Sequence, residues 1–262
     1  MKPADPVRNG GKGTSPVPLP CPPSRPVSSR YKLGYRPGLH SCRIGQTRIF
    51  LDIPADRYFA LTGQAADHVC RLLSLAEGDR LPDELRASFA RFRELDLLRP
   101  MSGPETGHRP NMRPPPIGSA FAASSPAPDR LWPSALPLFS AGCATLFLTR
   151  MRAFKSCVDA ARSWTGGNVS GDNLLYEAID QARAFHRIMP YLFSRHDACL
   201  FRSLFLLRYL HARGIAADWE FGVRLSPFCA HCWVEYEGIV LNDHQDTILA
   251  YTKILSVREP DS

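Results

Sequence analysis

Three residues late in this 262-residue sequence have the types and order of a thiol-based acyl-transfer centre. Cys199 stands near the start of an apolar helical stretch, His231 opens a strand-like run, and Asp243 ends the next one. A thiolate nucleophile, an imidazole to move its proton and a carboxylate to fix the imidazole tautomer are the parts such chemistry needs. The same region admits other chemistry. "FCAHCWVEYEGIVLND" (228–243) holds Cys229, His231 and Cys232 within four positions. With Cys199 these could form a zinc site, and C-x-x-C could be a redox pair. Alternation along a strand, however, turns His231 away from Cys232, and there is no second C-x-x-C. A redox C-x-x-C sits at a helix start after a strand in a βαβ pattern, which is missing here. Ser203 lacks a G-x-S-x-G setting and is expected to be buried. His196, His211 and His244 read as surface residues, with His196 adding positive charge near the thiol.

The elements that must position these residues can be read from periodicity. "RHDACLFRSLFLLRYLHARG" (195–214) is apolar on nearly every side, as a central buried helix would be, with Asp197 able to cap it and Gly214 to end it. Cys199 then lies in its first turn, where unpaired N–H groups and positive potential favour a thiolate. Two helices precede it, at 142–164 and 173–189, the second stopping before Pro190. "ADWEFGVRL" (217–225) reads as a strand, and "AHCWVEYEG" with "IVLND" as a hairpin. A two-residue turn at Glu237–Gly238 would pair Cys232 with Asp243 and turn His231 and Asp243 to opposite faces. A three-residue loop at Tyr236–Glu237–Gly238 pairs His231 with Asp243, so a working triad predicts the longer loop. Asp246 reads as a solvated acid at a loop or helix start.

Proline divides the chain. Of 24 prolines, nine lie in residues 1–37 and ten in 100–137. This predicts a disordered basic tail (1–30), a small domain (31–100), a Pro-rich linker (101–136) and a larger domain (137–262). The net charge is +7, and the tail contributes Lys2, Arg8, Lys12, Arg25 and Arg30 against Asp5. Such a tail is most simply solvated, so no nucleic-acid partner is expected. "GGKGTS" (10–15) lacks the strand and the Lys-Ser/Thr step of a phosphate loop. There is no signal-peptide core, and the apolar run within 131–150 is too short to span a bilayer. A cytoplasmic protein follows, its eight cysteines reduced. The "NVS" at 168–170 then carries no glycan.

In the small domain, strand-like runs at 40–44, 47–52 and 57–61 precede "GQAADHVCRLLSLAEG", where Ala66, Val69, Leu72 and Leu73 share a helical face. "LPDELRASFARFRELDLLRP" adds one or two more helices ending near Pro100. Three strands followed by helices is a winged-helix-like plan. Arg86, Arg91, Arg93 and Arg99 interleave with Glu84, Glu94 and Asp96, so the charged face is mixed rather than basic. An exposed edge strand at "RYFAL" can instead accept an extended peptide.

Two resemblances sharpen these readings. "FLDIPADRYFALTG" leading into a helix resembles the recognition domains of peptide-modifying pathways, which bind the leader segment of a precursor between their third strand and third helix. This implies leader contacts at Arg57, Tyr58, Phe59, Ala60, Leu61 and Phe92. "ACLFRSLFLLRYLHARGI" and "FGVRLSPFCAHCWVEYEGIVLND" resemble the lasso-peptide biosynthesis B proteins over residues 140–255, implying a transglutaminase-like, papain-like cysteine protease core. The resemblance places the family's Cys–His–Asp on Cys199, His231 and Asp243. It gives alanine as common where Cys232 stands, which leaves the C-x-x-C incidental. The expected protein is α+β, a leader peptidase with no cofactor of its own. Its implied partners are a precursor peptide and an ATP-dependent macrolactam synthetase. Other acyl transfer on the same core (transglutamination, amide hydrolysis) and a non-catalytic peptide-binding scaffold are the alternatives.

Overall fold

The computed structural model describes residues 32–101, 114–121, 135–151, 153–165, 172–192 and 199–258. The expected tail and Asp197 lie outside these residues. The architecture is α+β. In the first unit, strands β2 (Leu39–Ile44), β3 (Thr47–Asp52) and β4 (Arg57–Thr62) form an antiparallel sheet in that order. Helices α1 (Gly63–Leu73) and α2 (Asp83–Glu94) follow, burying Ala66, Val69 and Leu72, and Leu85, Phe89 and Phe92. The second helix stops short of the expected Pro100. The chain turns at Asp96, which has φ 52°, and enters β5 (Leu98–Met101), antiparallel to β1 (Lys32–Tyr35). Pro100 thus sits in a short two-stranded pair, where an imino nitrogen is tolerated.

The first sheet is not half solvated. All four last residues of β3 are buried. Side chains alternate across a strand, and the two faces meet different cores: Phe50 points into the first unit with Val69, Leu72 and Phe92, whereas Ile49 and Leu51, with Cys42 and Ile53, join the core of the second unit. The expected tether between separate domains is therefore supplemented by a shared apolar interior.

The second unit contains α3 (Ala135–Met151), α4 (Phe154–Arg162), α5 (Asp172–Leu192) and α6 (Cys199–His211). The single helix expected at 142–164 is two helices, with Ala153 in an extended conformation as the N-cap of α4. Helix α5 runs through Pro190 to Leu192 instead of stopping before it. Helix α6 is the central one, with Leu204, Phe205, Leu206, Leu207, Tyr209 and Leu210 all buried. It lies on a sheet ordered β10 (Thr252–Val257), β7 (Asp218–Leu225), β8 (Phe228–Tyr236), β9 (Ile239–Val240) and β6 (Gly118–Ser119). Strand β6 comes from the expected linker and runs parallel to β9. No helix among the described residues is long and apolar enough to cross a membrane.

A buried charge cluster ties three strands of this sheet together. Lys253 Nζ donates to Glu235 Oε2 at 2.8 Å and lies 3.8 Å from Glu220. Trp233 Nε1 donates to Glu235 Oε1 at 2.6 Å, and Ser256 Oγ to Glu220 Oε1 at 2.7 Å. Burial raises Glu220 to about 7. Lys253→Met keeps the side-chain length but leaves a buried carboxylate uncompensated. Stability should fall by about 3–5 kcal/mol, seen in thermal melts as a loss of about 6–20 °C.

Candidate active site

Cys199 is the first residue of α6, where the backbone N–H groups of the first turn have no partner within the helix. The helix start is pinned from below. Trp219 Nε1, on β7, donates to Ser203 Oγ at 2.8 Å, and that hydroxyl donates to the Cys199 carbonyl at 2.6 Å. Ser203 is thus buried, as expected, but it also lies 3.3 Å from the Cys232 sulfur.

His231 lies on β8, facing β7 at Gly222. A Cβ on Gly222 would meet Trp233 and Tyr251 at 2.8–2.9 Å. The glycine makes room for the two rings that flank the imidazole, at centroid distances of 6.1 Å and 5.4 Å.

Asp243 reaches His231 by a route other than the one expected. The turn is the two-residue one: Tyr236 pairs with Ile239, and Glu237 and Gly238 have φ 49° and 79°. Two positive φ values match the twist of a tight hairpin. That register alone would point Asp243 away from His231, but the ladder ends early. Leu241 N–H still donates to the Val234 carbonyl, whereas Val234 N–H donates to Asn242 Oδ1 at 2.9 Å. The Asn242 side chain replaces a main-chain acceptor, the chain leaves strand alternation, and Asp243 Oδ2 comes to 2.7 Å from His231 Nε2. Asp243 Oδ1 accepts from the His244 N–H at 2.7 Å, and Ser119 Oγ, on β6, donates to the Asp243 carbonyl at 2.6 Å. Asp246 is exposed in the first turn of α7 (Gln245–Leu249).

With Nε2 engaged by Asp243, Nδ1 is the nitrogen left for the Cys199 thiol, to which His231 is hydrogen-bonded. The thiol of Cys232, its backbone and His231 all hydrogen-bond to the Cys199 sulfur, outweigh burial, and hold Cys199 at about 4. Burial alone would lower His231. The hydrogen bonds and negative charges of Asp243 and Cys199 overcome it and raise His231 to about 9. Burial first, and then the Cys199 sulfur beside it, push the fully buried Cys232 thiol up. Cys199 is therefore the thiolate and Cys232 the neutral donor. Against the cost of burial, the His231 and His244 contacts hold Asp243 below the usual carboxylate range.

Both His231 and Cys232 border the space around Cys199 despite lying on opposite faces of β8. Cys229 stands apart, its sulfur 3.5 Å from Tyr251 Oη. Among the described residues, no group of three or more His, Cys, Asp or Glu is arranged to hold a metal ion.

Two cavities meet at Cys199, His231 and Cys232. One, of about 230 Å³, is evenly polar and apolar and lined by Phe121, His186, Arg202, Asn242, Asp243 and His244. The other, of about 140 Å³, is mostly apolar and includes Leu51, Asp56 and Tyr58 from the first unit. Of the other residues singled out on β4 and α2, Arg57 and Ala60 are exposed, and Phe59 and Leu61 pack on the first unit's core. Phe92 is buried inside that core instead of facing a peptide. Ser119, Phe121 and Asn242 carried no sequence signal for the site, because each reaches it through tertiary contacts, whereas Tyr58, singled out as a leader contact, lines the apolar cavity.

Cys199, His231 and Asp243 thus stand together, each half-buried, at the start of α6, and residues 144–256 match the transglutaminase-like superfamily. Over 45 residues the chain is 49% identical to the microcin J25-processing protein McjB of Escherichia coli, a stretch that is 17% of this chain and 22% of McjB. Together the domain and this local match support the resemblance to the lasso-peptide biosynthesis B proteins. No solved structure matches the chain.

Proposed function

We propose that the chain is a cysteine endopeptidase that binds the leader of a ribosomally made lasso-peptide precursor and cleaves it from the core peptide. The observation that carries this reading is the contact of Cys199, His231 and Asp243 where two cavities meet. The Cys199 thiolate attacks the scissile carbonyl, and the Cys199 N–H at the helix start stabilises the oxyanion. His231 Nδ1–H protonates the leaving amine while Asp243 holds Nε2. An acyl-enzyme to the leader remains. Water, deprotonated by His231, then releases the leader acid. The freed core amine passes to an ATP-dependent macrolactam synthetase. Incubating the protein with its precursor and weighing the products tests this: hydrolysis gives a free leader acid and a free core. An uncut precursor carrying an added amine on a glutamine side chain, with ammonia released, would instead support transglutamination, which the superfamily match also admits.

The leader is held as a strand added to β4, which hydrogen-bonds to β3 alone among the described strands. Successive N–H groups of a strand alternate sides, so one of Phe59→Pro and Ala60→Pro removes an outward donor. Fluorescence anisotropy with labelled leader should show about tenfold weaker binding for that variant, a loss of the order of one hydrogen bond. Unchanged binding by both folded variants would exclude strand addition.

A further inference from the structure

The thiol lies between two unlike cavities, and only one of them reaches the first unit. Leu51 and Tyr58 come from β3 and β4, Phe154, Phe221 and Ala230 from the second unit, and exposed Asp56 borders the same space. The wall is held by packing. Tyr58 meets Phe228 edge-on at 5.7 Å and packs against the second unit's core, while its neighbour Phe59 stacks on Phe50 at 4.8 Å in the first unit's own core. The volume, about 140 Å³, is close to the ~150 Å³ of an apolar cavity that takes up benzene, so it fits one side chain.

We propose that this cavity is the leader-side specificity pocket, built jointly by the two units, and that it takes a single apolar side chain from one of the last two leader residues before the scissile bond. This rests on the peptidase reading. The direction follows from placement. Strand β4 begins at Arg57, between the cavity residues Asp56 and Tyr58. A leader lying on the open edge of β4 and running antiparallel to it arrives at this end and enters the apolar cavity. The core side then falls in the larger, more polar cavity with Arg202, His186 and His244. An acidic side chain is rejected on the leader side, where it would lose its water among apolar walls and face both Asp56 and the Cys199 thiolate.

The test uses full-length protein and precursors in which each of the last two leader residues is changed in turn to Val, Leu, Phe and Asp. At one of the two positions, kcat/KM should fall at least about 100-fold from Leu to Asp, the scale of an unpaired buried charge. Tyr58→Ala enlarges the cavity and should shift the Phe/Leu ratio of kcat/KM toward Phe by about tenfold, the worth of a methylene or two in an apolar pocket. Tyr58→Phe should restore the original ratio. Ala230→Leu fills the cavity and should shift preference toward Val. Leader affinity and alkylation of Cys199 by iodoacetamide report that each variant is folded and armed. If wild type fails to cleave the unmodified precursor, the peptidase reading fails. If it cleaves but tolerates Asp at both positions, or if both armed variants keep the wild-type preference, the shared pocket is wrong.

Discussion

Cys199→Ala should remove leader cleavage altogether, a loss of about six orders of magnitude on the scale set by deleting the nucleophile of a protease triad. The melting temperature should stay close to wild type, because Cys199 is only partly buried and alanine suits a helix start. The pH dependence identifies the reacting form. With Cys199 at about 4 and His231 at about 9, the pair exists as thiolate and imidazolium between those values. Below the lower one the nucleophile is protonated, and above the upper one the acid for the leaving amine is lost. The profile of kcat/KM should therefore be a bell with limbs near pH 4 and pH 9, both belonging to the coupled pair. Cys232→Ala removes the thiol donor to Cys199, so the acid limb should move up. Cleavage at neutral pH should persist, since the imidazolium and the helix start still favour the thiolate. Loss of cleavage at every pH in a folded Cys232→Ala protein would assign Cys232 a direct part in the chemistry.

Asp243→Asn should cost two to three orders of magnitude in kcat. The equivalent change in a serine triad costs about four, and a preformed thiolate leans less on its base. The alkaline limb should also move down, because the hydrogen bond and charge of Asp243 help hold His231 up. Asp246→Asn, on the exposed first turn of α7, should leave both rate and profile unchanged. Rates measured on one precursor separate the two: a larger loss for Asp246→Asn would overturn the role given to Asp243.

The helix of Cys199 was legible because the middle of α6 is buried and its apolar run is continuous. The three strands and first helix of the first unit were legible from short runs punctuated by Gly45 and Pro54. The hairpin turn was not. A working triad in strict strand register requires the longer loop, whereas Glu237–Gly238 forms the tight turn and Asn242 redirects the chain afterwards. A side chain standing in for a ladder acceptor leaves no periodic trace. The role of Cys232 was hidden for a related reason. Strand alternation separates it from His231, yet its sulfur reaches Cys199 across the interface between β8 and α6, a contact set by tertiary packing. Helix 142–164 read as continuous because apolar periodicity persists through the extended Ala153.

Strand β6 bears on how such a protein could be divided between two polypeptides. Its backbone holds one rim of the sheet: Ile117 and Ala120 donate to the Gly238 and Val240 carbonyls, Ser119 secures the Asp243 carbonyl, and Arg183 Nε donates to the Ala120 carbonyl. A break between residues 101 and 114 would leave this rim with the half bearing Cys199, His231 and Asp243. A break between 121 and 135 would strip it away, bare the edge at β9 and loosen the carboxylate that steers His231. Even the permitted break would part Leu51 and Tyr58 from the thiol they help to enclose, so the two halves would have to re-dock along the face bearing Cys42, Leu51 and Ile53. Fission of this chain is thus one-sided in position and obliges the products to associate.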